Sequence, residues 1–127
     1  MNVKDKILEI SKLLDEVDKF NEDIPNIQQE FDYKMSDLYH KLEDMKLDAA
    51  KCYRFCKELK SVLLDRRNFK ENVEIMRVYQ QNKLKLNSGI EQRKMLLSNM
   101  GKREKQLHYP YNPRVYTEEE LIEKIGE

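Results

Sequence analysis

Three polar residues at helical spacing, Asp37, His40 and Glu43, are the first candidates for chemistry in this sequence. Residues three apart share one face of a helix, and a carboxylate–imidazole–carboxylate row offers ligand types that bind a divalent metal. These positions spread over about 9 Å of helix, however, whereas metal ligands must converge on one point. We therefore interpret the three residues as a structural polar cluster and expect no metal and no cofactor.

The expected partners of this polar cluster are basic residues further along the chain. Arg66, Arg67 and Lys70 lie close together on one predicted helix. A carboxylate at a helix interface needs a cationic partner, because a buried charge without one carries a large desolvation penalty. The sequence thus predicts ion pairs between the polar cluster and these three basic residues across a helix interface.

Other catalytic patterns are incomplete. Glu71 and Glu74 form one Glu-x-x-Glu pair, which is half of the magnesium-binding pattern of all-helical nucleotide pyrophosphatases, and the facing Glu-x-x-Asp is missing from the sequence. None of the three glycines opens a phosphate-binding loop. His40 and His108 have no nucleophile in a sequence context that would aim them. We predict that the chain is not an enzyme and has no catalytic residues.

The stretch from His108 to Tyr116 combines aromatic rings, an arginine and two prolines. Pro110 and Pro113 forbid a helix and favour an extended backbone. Large rings on a stiff backbone dock with little loss of conformational entropy, and Tyr and Arg often dominate binding energy. The segment is expected to bind a partner or to act as an intramolecular strap. Its predicted partner-binding residues are Tyr109, Tyr111, Arg114 and Tyr116.

Nucleic-acid binding is the alternative function, and a metal-dependent enzyme is a distant third. Basic residues precede the tyrosine-rich segment, namely Arg93, Lys94, Lys102, Arg103 and Lys105. Basic side chains contact phosphates and aromatic rings stack on unpaired bases, so the combination suits a single strand. The acidic residues after Tyr116 would weaken the affinity for phosphate.

The elements that must position these residues are helices. Between Ile24 and Leu86 the chain has no glycine and no proline after Pro25, and apolar residues recur in steps of three and four. The predicted stripe is Ile24, Ile27, Phe31, Met35, Leu38, Leu42, Met45, Ala49, Cys52, Cys56, Leu59 and Leu63. An unbroken helix here would be about 95 Å long. The stripe changes phase near Asp65–Asn68, where either a continuous helix or a hairpin is open, and the lack of Gly and Pro favours the continuous helix.

Shorter helices flank this central one. A first helix over residues 3–21 is expected to end at Asn21–Pro25, because proline disfavours helix at the preceding residue. A third helix of about 18 residues is expected after Gly89, which can adopt the left-handed conformation. A capping box formed by Thr117 and Glu120 predicts a last short helix.

These elements predict an all-α fold, an elongated helical bundle or coiled coil with one long central helix. Residues 1–107 would form the helical domain, and residues 108–127 an extended Tyr/Pro segment with a short helix. A hydrophobic content of 39% beside 38% charged residues is typical of long amphipathic helices. The uncovered turns of so long a helix predict a homodimer or higher oligomer.

Charge and hydropathy limit the cellular context. The 24 basic and 24 acidic residues cancel, but acidic ends flank a basic middle: residues 1–33 hold four basic and nine acidic residues, and residues 34–87 hold thirteen and eight. The N-terminus alternates charged and apolar residues, unlike a signal peptide, and no run is apolar enough for a membrane span. We expect a cytoplasmic protein with no membrane partner.

Three short blocks carry a resemblance to a known group. They are Asp37-Leu-Tyr-His40-Lys-Leu-Glu43, Arg66-Arg67-Asn-Phe-Lys70-Glu71 and Tyr111-Asn-Pro113-Arg114-Val-Tyr116. Over about residues 35–116 the chain resembles small helical proteins encoded in phages and prophages of Gram-positive bacteria, whose function is unassigned. The resemblance implies a phage-encoded protein in the host cytoplasm. With the features above it leads us to expect a non-enzymatic helical interaction protein, an adaptor or modulator of a host or phage protein.

Overall fold

A computed structural model describes residues 1–108 and 110–126. In that part of the chain the elements are α1 (Val3–Asp44), α2 (Ala49–Asn82), a 3₁₀ turn (Lys83–Leu86), α3 (Ile90–Leu107) and α4 (Glu118–Ile125). The predicted all-α helical bundle is confirmed. One predicted partner-binding residue, Tyr109, lies outside the described residues.

The first helix is twice as long as expected. The predicted end at Asn21–Pro25 is wrong, because α1 continues through Pro25 to Asp44. A proline inside a helix removes one backbone hydrogen bond and costs about 3 kcal/mol. Phe20 and Phe31, on either side of Pro25, both pack on Phe69 of α2. Burial of rings of this size offsets much of that cost, so tertiary packing overrides the local preference.

A four-residue turn at positions 45–48 separates α1 from α2. The Asp48 side chain caps α2, because its Oδ1 accepts hydrogen bonds from the backbone N–H of Ala50 at 2.8 Å and of Lys51 at 3.3 Å. The single central helix predicted over Ile24–Leu86 is therefore two helices, which fold into an antiparallel hairpin. The predicted apolar stripe is buried between them only in part: Met35 is buried, whereas Leu42 and Ala49, on the two sides of the turn, are exposed.

The inward stripe of α2 differs from the predicted one. Its buried and half-buried positions are Cys52, Phe55, Leu59, Val62, Arg66, Phe69, Val73 and Met76. Cys56 and Leu63, which belong to the predicted stripe, are exposed. The steps of three and four keep one phase from Cys52 to Met76. The expected phase change at Asp65–Asn68 therefore does not occur, and α2 is continuous there as predicted.

The buried core is small, and three of its five residues lie on α2. It comprises Met35, Val62, Phe69, Met76 and Leu96. The Phe69 ring lies at its centre, with its centroid 6.2 Å from that of Phe20 and 5.5 Å from that of Phe31. Leu96 of α3 is the most deeply buried of the five, at 1% exposure. Since α2 contacts both α1 and α3, it is the element on which these two helices pack.

The two last helices begin where the sequence predicts. Gly89 precedes α3 with φ of 129°, in the region that favours glycine. The Thr117 Oγ1 accepts a hydrogen bond from the Glu120 N–H at 3.1 Å and caps α4. Within the described residues α4 packs against no other helix. In the same part of the chain no helix combines the length and apolarity needed to cross a membrane.

Candidate functional site: a basic cleft beside α2

An open cleft of about 1410 Å³ lies between α2, the end of α3 with His108, and the segment formed by residues 110–114. We call it the basic cleft. Six Arg and Lys side chains line it against two glutamates, Glu71 and Glu74. The six are Arg66, Arg67, Lys70, Arg77, Arg103 and Arg114. Lysine and arginine thus exceed glutamate by four charges, and the cleft is strongly electropositive in a chain with no net charge.

Four of the residues that α2 contributes to the cleft lie on one face of the helix. Arg66, Lys70, Glu74 and Arg77 follow one another in steps of four, four and three, so they share a face of α2. Sequence inspection singled out Arg66 and Lys70 but missed Arg77 as a member of this face. The step of three from Glu74 to Arg77 was the signal that could have revealed it.

At the base of the cleft, the Glu74 carboxylate pairs with one arginine of α2 and one arginine of α3. Its Oε1 accepts a hydrogen bond from Arg77 Nη1 at 2.6 Å, and its Oε2 accepts one from Arg103 Nη2 at 2.8 Å. Arg103 also donates to the Gln106 side chain at 3.1 Å. Both oxygens of this carboxylate are therefore engaged, and α3 is fixed against α2 as a wall of the cleft.

Four cations of the cleft have no such partner. Arg66, Arg67, Lys70 and Arg114 take part in none of the ion pairs formed by residues 1–108 and 110–126. Arg66 occupies a half-buried position of the inward α2 stripe, and its Nε is buried with no hydrogen-bond acceptor among the described residues. A buried donor left unsatisfied in this way is unfavourable. The exposed side chains of Arg67, Lys70 and Arg114 are open to an anionic group that enters the cleft.

The extended segment supplies the opposite wall. Its backbone from Pro110 to Pro113 is non-helical, as the two prolines predict. Tyr111 and Arg114 line the cleft, and the Tyr111 side chain is 70% exposed and free to contact a ligand. Tyr116 is also exposed but is not part of the cleft wall. The structure therefore brings two predicted partner-binding residues, Tyr111 and Arg114, into the same cleft as Arg66, Arg67 and Lys70.

The predicted polar cluster is not joined to these basic residues. Asp37, His40 and Glu43 are exposed on α1, and His40 Nδ1 lies 3.8 Å from Glu43 Oε2 on its own helix. The predicted pairs with Arg66, Arg67 and Lys70 do not form among the described residues. The hairpin is the reason, because it sets the end of α1 beside the start of α2, whereas the basic residues flank Phe69, opposite Phe31.

The third helix contributes less to the cleft than its basic composition suggests. Arg103 lines the cleft, whereas Arg93 donates from Nε to the Leu86 carbonyl at 3.4 Å, at the far end of the helix. Lys94, Lys102 and Lys105 are exposed and do not line it. Across the described residues no group of three or more His, Cys, Asp or Glu side chains is placed to hold a metal ion.

Comparison with protein-family models, with curated proteins and with solved structures finds no match to this chain. The resemblance of residues 35–116 to phage and prophage proteins therefore stays a prediction. The basic cleft and the helices that build it are the features from which a function can be inferred.

Proposed function

We propose that the chain is a non-enzymatic helical interaction protein that captures an acidic segment of a partner protein in the basic cleft, and so acts as an adaptor or modulator. The observation that carries this proposal is the surplus of positive charge around one open cleft. Four of its six cations have no ion-pair partner within the described residues.

Both the chemistry and the size of the cleft favour a protein segment. Arginine guanidinium groups bind carboxylates through two parallel hydrogen bonds, and the exposed Arg67 and Arg114 are available for this. Leu63, Val73 and the prolines of the extended segment add apolar surface to the same walls. The volume of about 1410 Å³ exceeds the roughly 300–1,000 Å³ of typical small-molecule pockets. An amphipathic acidic segment would satisfy both the charged and the apolar parts of the lining.

The cellular setting is part of the proposal. The resemblance to phage and prophage proteins supports a phage-encoded protein that works in the host cytoplasm. Its partner would then be a host or phage protein with an exposed acidic stretch. Modulation would follow from masking that stretch, since a bound segment is no longer available to its usual ligands.

One observation favours nucleic acid as a second candidate. The exposed Tyr111 ring lies in the same cleft as Arg103 and Arg114, and a ring beside cations is the arrangement that binds single strands by stacking and phosphate contacts. The apolar surface that Leu63, Val73 and the two prolines add to the lining suits an amphipathic peptide better than a sugar-phosphate backbone. We therefore place it second.

A charge-reversal experiment tests the proposal. Arg67→Glu/Lys70→Glu changes two exposed residues of the cleft, and the control Lys57→Glu/Lys60→Glu makes the same charge change with the same spacing on α2 outside it. Fluorescence anisotropy would follow a labelled amphipathic peptide rich in glutamate and leucine. We expect the cleft variant to bind this peptide at least about tenfold more weakly than the wild type and the control variant, a difference of about 1.4 kcal/mol.

A labelled single-stranded DNA oligonucleotide forms the second arm of this experiment. Binding of the oligonucleotide but not of the peptide, with the same dependence on the cleft, would favour the nucleic-acid candidate. Equal peptide binding by the cleft variant and the control would contradict the proposal. Affinity purification of the tagged chain from infected cells, with the cleft variant in parallel, would then identify the partner.

A further inference from the structure

The last helix, α4, carries a charge opposite to that of the basic cleft. Over Glu118–Ile125 it has four glutamates and one lysine, a net charge of −3, whereas the lining of the cleft has a surplus of four positive charges. Leu121, Ile122 and Ile125 share one face of α4, because Ile125 lies four residues after the first and three after the second. The helix is therefore itself a short amphipathic acidic segment, the kind of ligand that suits the lining of the cleft.

In the structure α4 does not occupy the cleft. Within residues 1–108 and 110–126 it packs against no other helix, and its glutamates take part in none of the ion pairs. Ile122 and Ile125 are 48% and 82% exposed. An isolated helix of this length is marginally stable in water, so a surface that covered its apolar face would stabilise it. The structure thus shows an open arrangement, in which the cleft is accessible.

The linker to α4 begins at the wall of the cleft. Arg114 lines the cleft, and α4 starts four residues later, at Glu118. Four residues of extended chain span at most about 14 Å, so the first turn of α4 stays within about that distance of the wall. The intervening residues 115–117 are all exposed. Rotation about them can therefore turn α4 towards the cleft.

The cleft is long enough to hold α4. Its α2 wall covers residues 63–77, about 21 Å along the helix axis, whereas the eight residues of α4 measure about 12 Å. Arg67, Lys70 and Arg114 are exposed and are not engaged in the ion pairs of the described residues, so they can bind the glutamates of α4. Leu63 offers an exposed apolar side chain to the apolar face of α4.

The acidic residues near the start of the chain are a poorer match. Residues 1–33 hold nine of them, but they lie almost entirely on α1. This helix is continuous and is held on α2 by the contacts of Phe20 and Phe31 with Phe69. In α4, by contrast, the acidic charge is joined to an exposed linker that starts at the cleft. Charge and chain connectivity therefore indicate the same occupant.

We infer that α4 turns back over residues 115–117 into the basic cleft and competes there with the acidic segment of the partner, so that the chain regulates its own binding site. The competition rests on the proposed function of the cleft, whereas the docking of α4 does not. A short flexible linker gives a tethered segment an effective concentration on the order of 1 mM, so weak contacts suffice for docking. The apparent affinity for the partner falls with the fraction of molecules in which the cleft is open.

Disulfide trapping tests the docking of α4 without any partner. In a background with Cys52→Ser and Cys56→Ser, the pair Leu63→Cys/Ile122→Cys joins the wall of the cleft to the apolar face of α4. The control pair is Leu64→Cys/Ile122→Cys, since Leu64 is exposed on the same helix but does not line the cleft. At low micromolar concentration, the first pair should form an intrachain disulfide at least about fivefold faster than the control pair.

This difference in rate should depend on the charge of the cleft. It should disappear when Arg67→Glu/Lys70→Glu is added and persist when Lys57→Glu/Lys60→Glu is added. Equal rates for the two cysteine pairs would overturn the docking of α4. Disulfide-linked dimers in place of the intrachain product would also overturn it, because they would show α4 of one copy in the cleft of another.

Peptide binding tests the competition. Glu119→Gln/Glu123→Gln removes two negative charges from α4, and the control Glu9→Gln/Glu16→Gln removes the same charge from exposed positions of α1. Fluorescence anisotropy would follow the labelled amphipathic peptide rich in glutamate and leucine. We expect the α4 variant to bind this peptide at least about threefold more tightly than the wild type and the control variant.

The two experiments distinguish a failure of this inference from a failure of the proposed function. If Arg67→Glu/Lys70→Glu weakens peptide binding but Glu119→Gln/Glu123→Gln leaves it unchanged, the competition is wrong and the proposed function stands. If the intrachain disulfide forms as expected but no variant binds the peptide, α4 docks in the cleft and the proposed function is wrong, together with the competition.

Discussion

Arg103 of α3 donates a hydrogen bond from Nη2 to Glu74 Oε2 of α2 at 2.8 Å. In the part of the chain that the structure describes, this is the one ion pair that connects two helices. The other four link residues three or four apart on a single helix. The Arg103–Glu74 pair therefore combines two roles: it fixes α3 to α2, and it forms the base of the basic cleft.

We predict that Arg103→Ala lowers the free energy of unfolding by about 1 kcal/mol, since the pair is only partly exposed and has good geometry. Urea unfolding followed by circular dichroism measures this. Arg77→Ala is the matched control, because it removes the other partner of Glu74 within one helix and should change stability by less than about 0.5 kcal/mol. Equal effects of the two substitutions would show that the link between the helices contributes nothing of its own.

Phe69 should be the most sensitive position of the hairpin core. Its ring is 6% exposed and packs against Phe20 and Phe31. Replacement by alanine removes these contacts and leaves a cavity, so Phe69→Ala should cost about 3–5 kcal/mol in unfolding free energy. Leu64→Ala, on the exposed side of the same helix, should cost less than about 1 kcal/mol. Similar losses at the two positions would contradict the register of α2.

Substitution of Pro25 tests whether α1 is continuous through this position. Pro25→Ala restores a backbone donor inside α1 and should raise the unfolding free energy by about 1 kcal/mol or more. The neighbouring Asn26→Ala is the control for helix propensity alone and should add at most about 0.7 kcal/mol. Thermal and urea unfolding would provide both values. A loss of stability in Pro25→Ala would mean that the chain turns at this residue, as the sequence alone suggested.

The helix boundaries show what local signals can and cannot determine. The starts of α3, after Asn87–Gly89, and of α4, after the capping residue Thr117, were predicted correctly. Glycine and capping side chains determine the conformation of residues close to them in sequence. The turn at positions 45–48 was missed because it contains neither glycine nor proline. Its one local signal is the cap Asp48. The turn forms there because the hairpin buries the apolar faces of both helices, and that gain depends on residues far apart in sequence.

The cleft was predictable in its parts but not as a whole. Arg66, Lys70, Tyr111 and Arg114 were each singled out from the sequence, in two separate groups with different roles. Their convergence requires that α3 run back along α2 far enough to deliver the extended segment beside Lys70. The Arg103–Glu74 pair that sets this geometry joins residues 29 positions apart. Spacing along one helix cannot reveal such a contact.

The raised pKa of the Tyr79 phenol leads us to predict a specific dependence of stability on pH. Burial raises the pKa of its phenol above the ordinary value of about 10, and the nearby Asp18 carboxylate raises it further. A raised pKa in the folded state means that the folded chain holds the proton more tightly than the unfolded chain. The resulting stability is present below pH 10 and is lost as the pH rises above it.

We therefore expect the wild type to lose stability relative to Tyr79→Phe as the pH rises from about 9 to 11. Urea unfolding of both proteins across this pH range measures the difference between their unfolding free energies. The ionisation of other groups affects both proteins equally and cancels in this difference. A constant difference would show that Tyr79 ionises equally well in the folded and unfolded chains.

Truncation after Leu107 distinguishes a binding segment from a strap. Tyr111 is largely exposed and, within the described residues, α4 contacts no other helix, so the removed part contributes little packing. We predict that the truncated chain keeps its melting temperature to within about 3 °C, which corresponds to less than about 1 kcal/mol. It should lose binding of the acidic peptide, and Tyr111→Ala/Arg114→Ala in the full chain should weaken that binding in the same direction. If the truncated chain instead aggregates or melts much earlier, the segment is a strap whose rings stabilise the bundle, and its assignment as a recognition element is wrong.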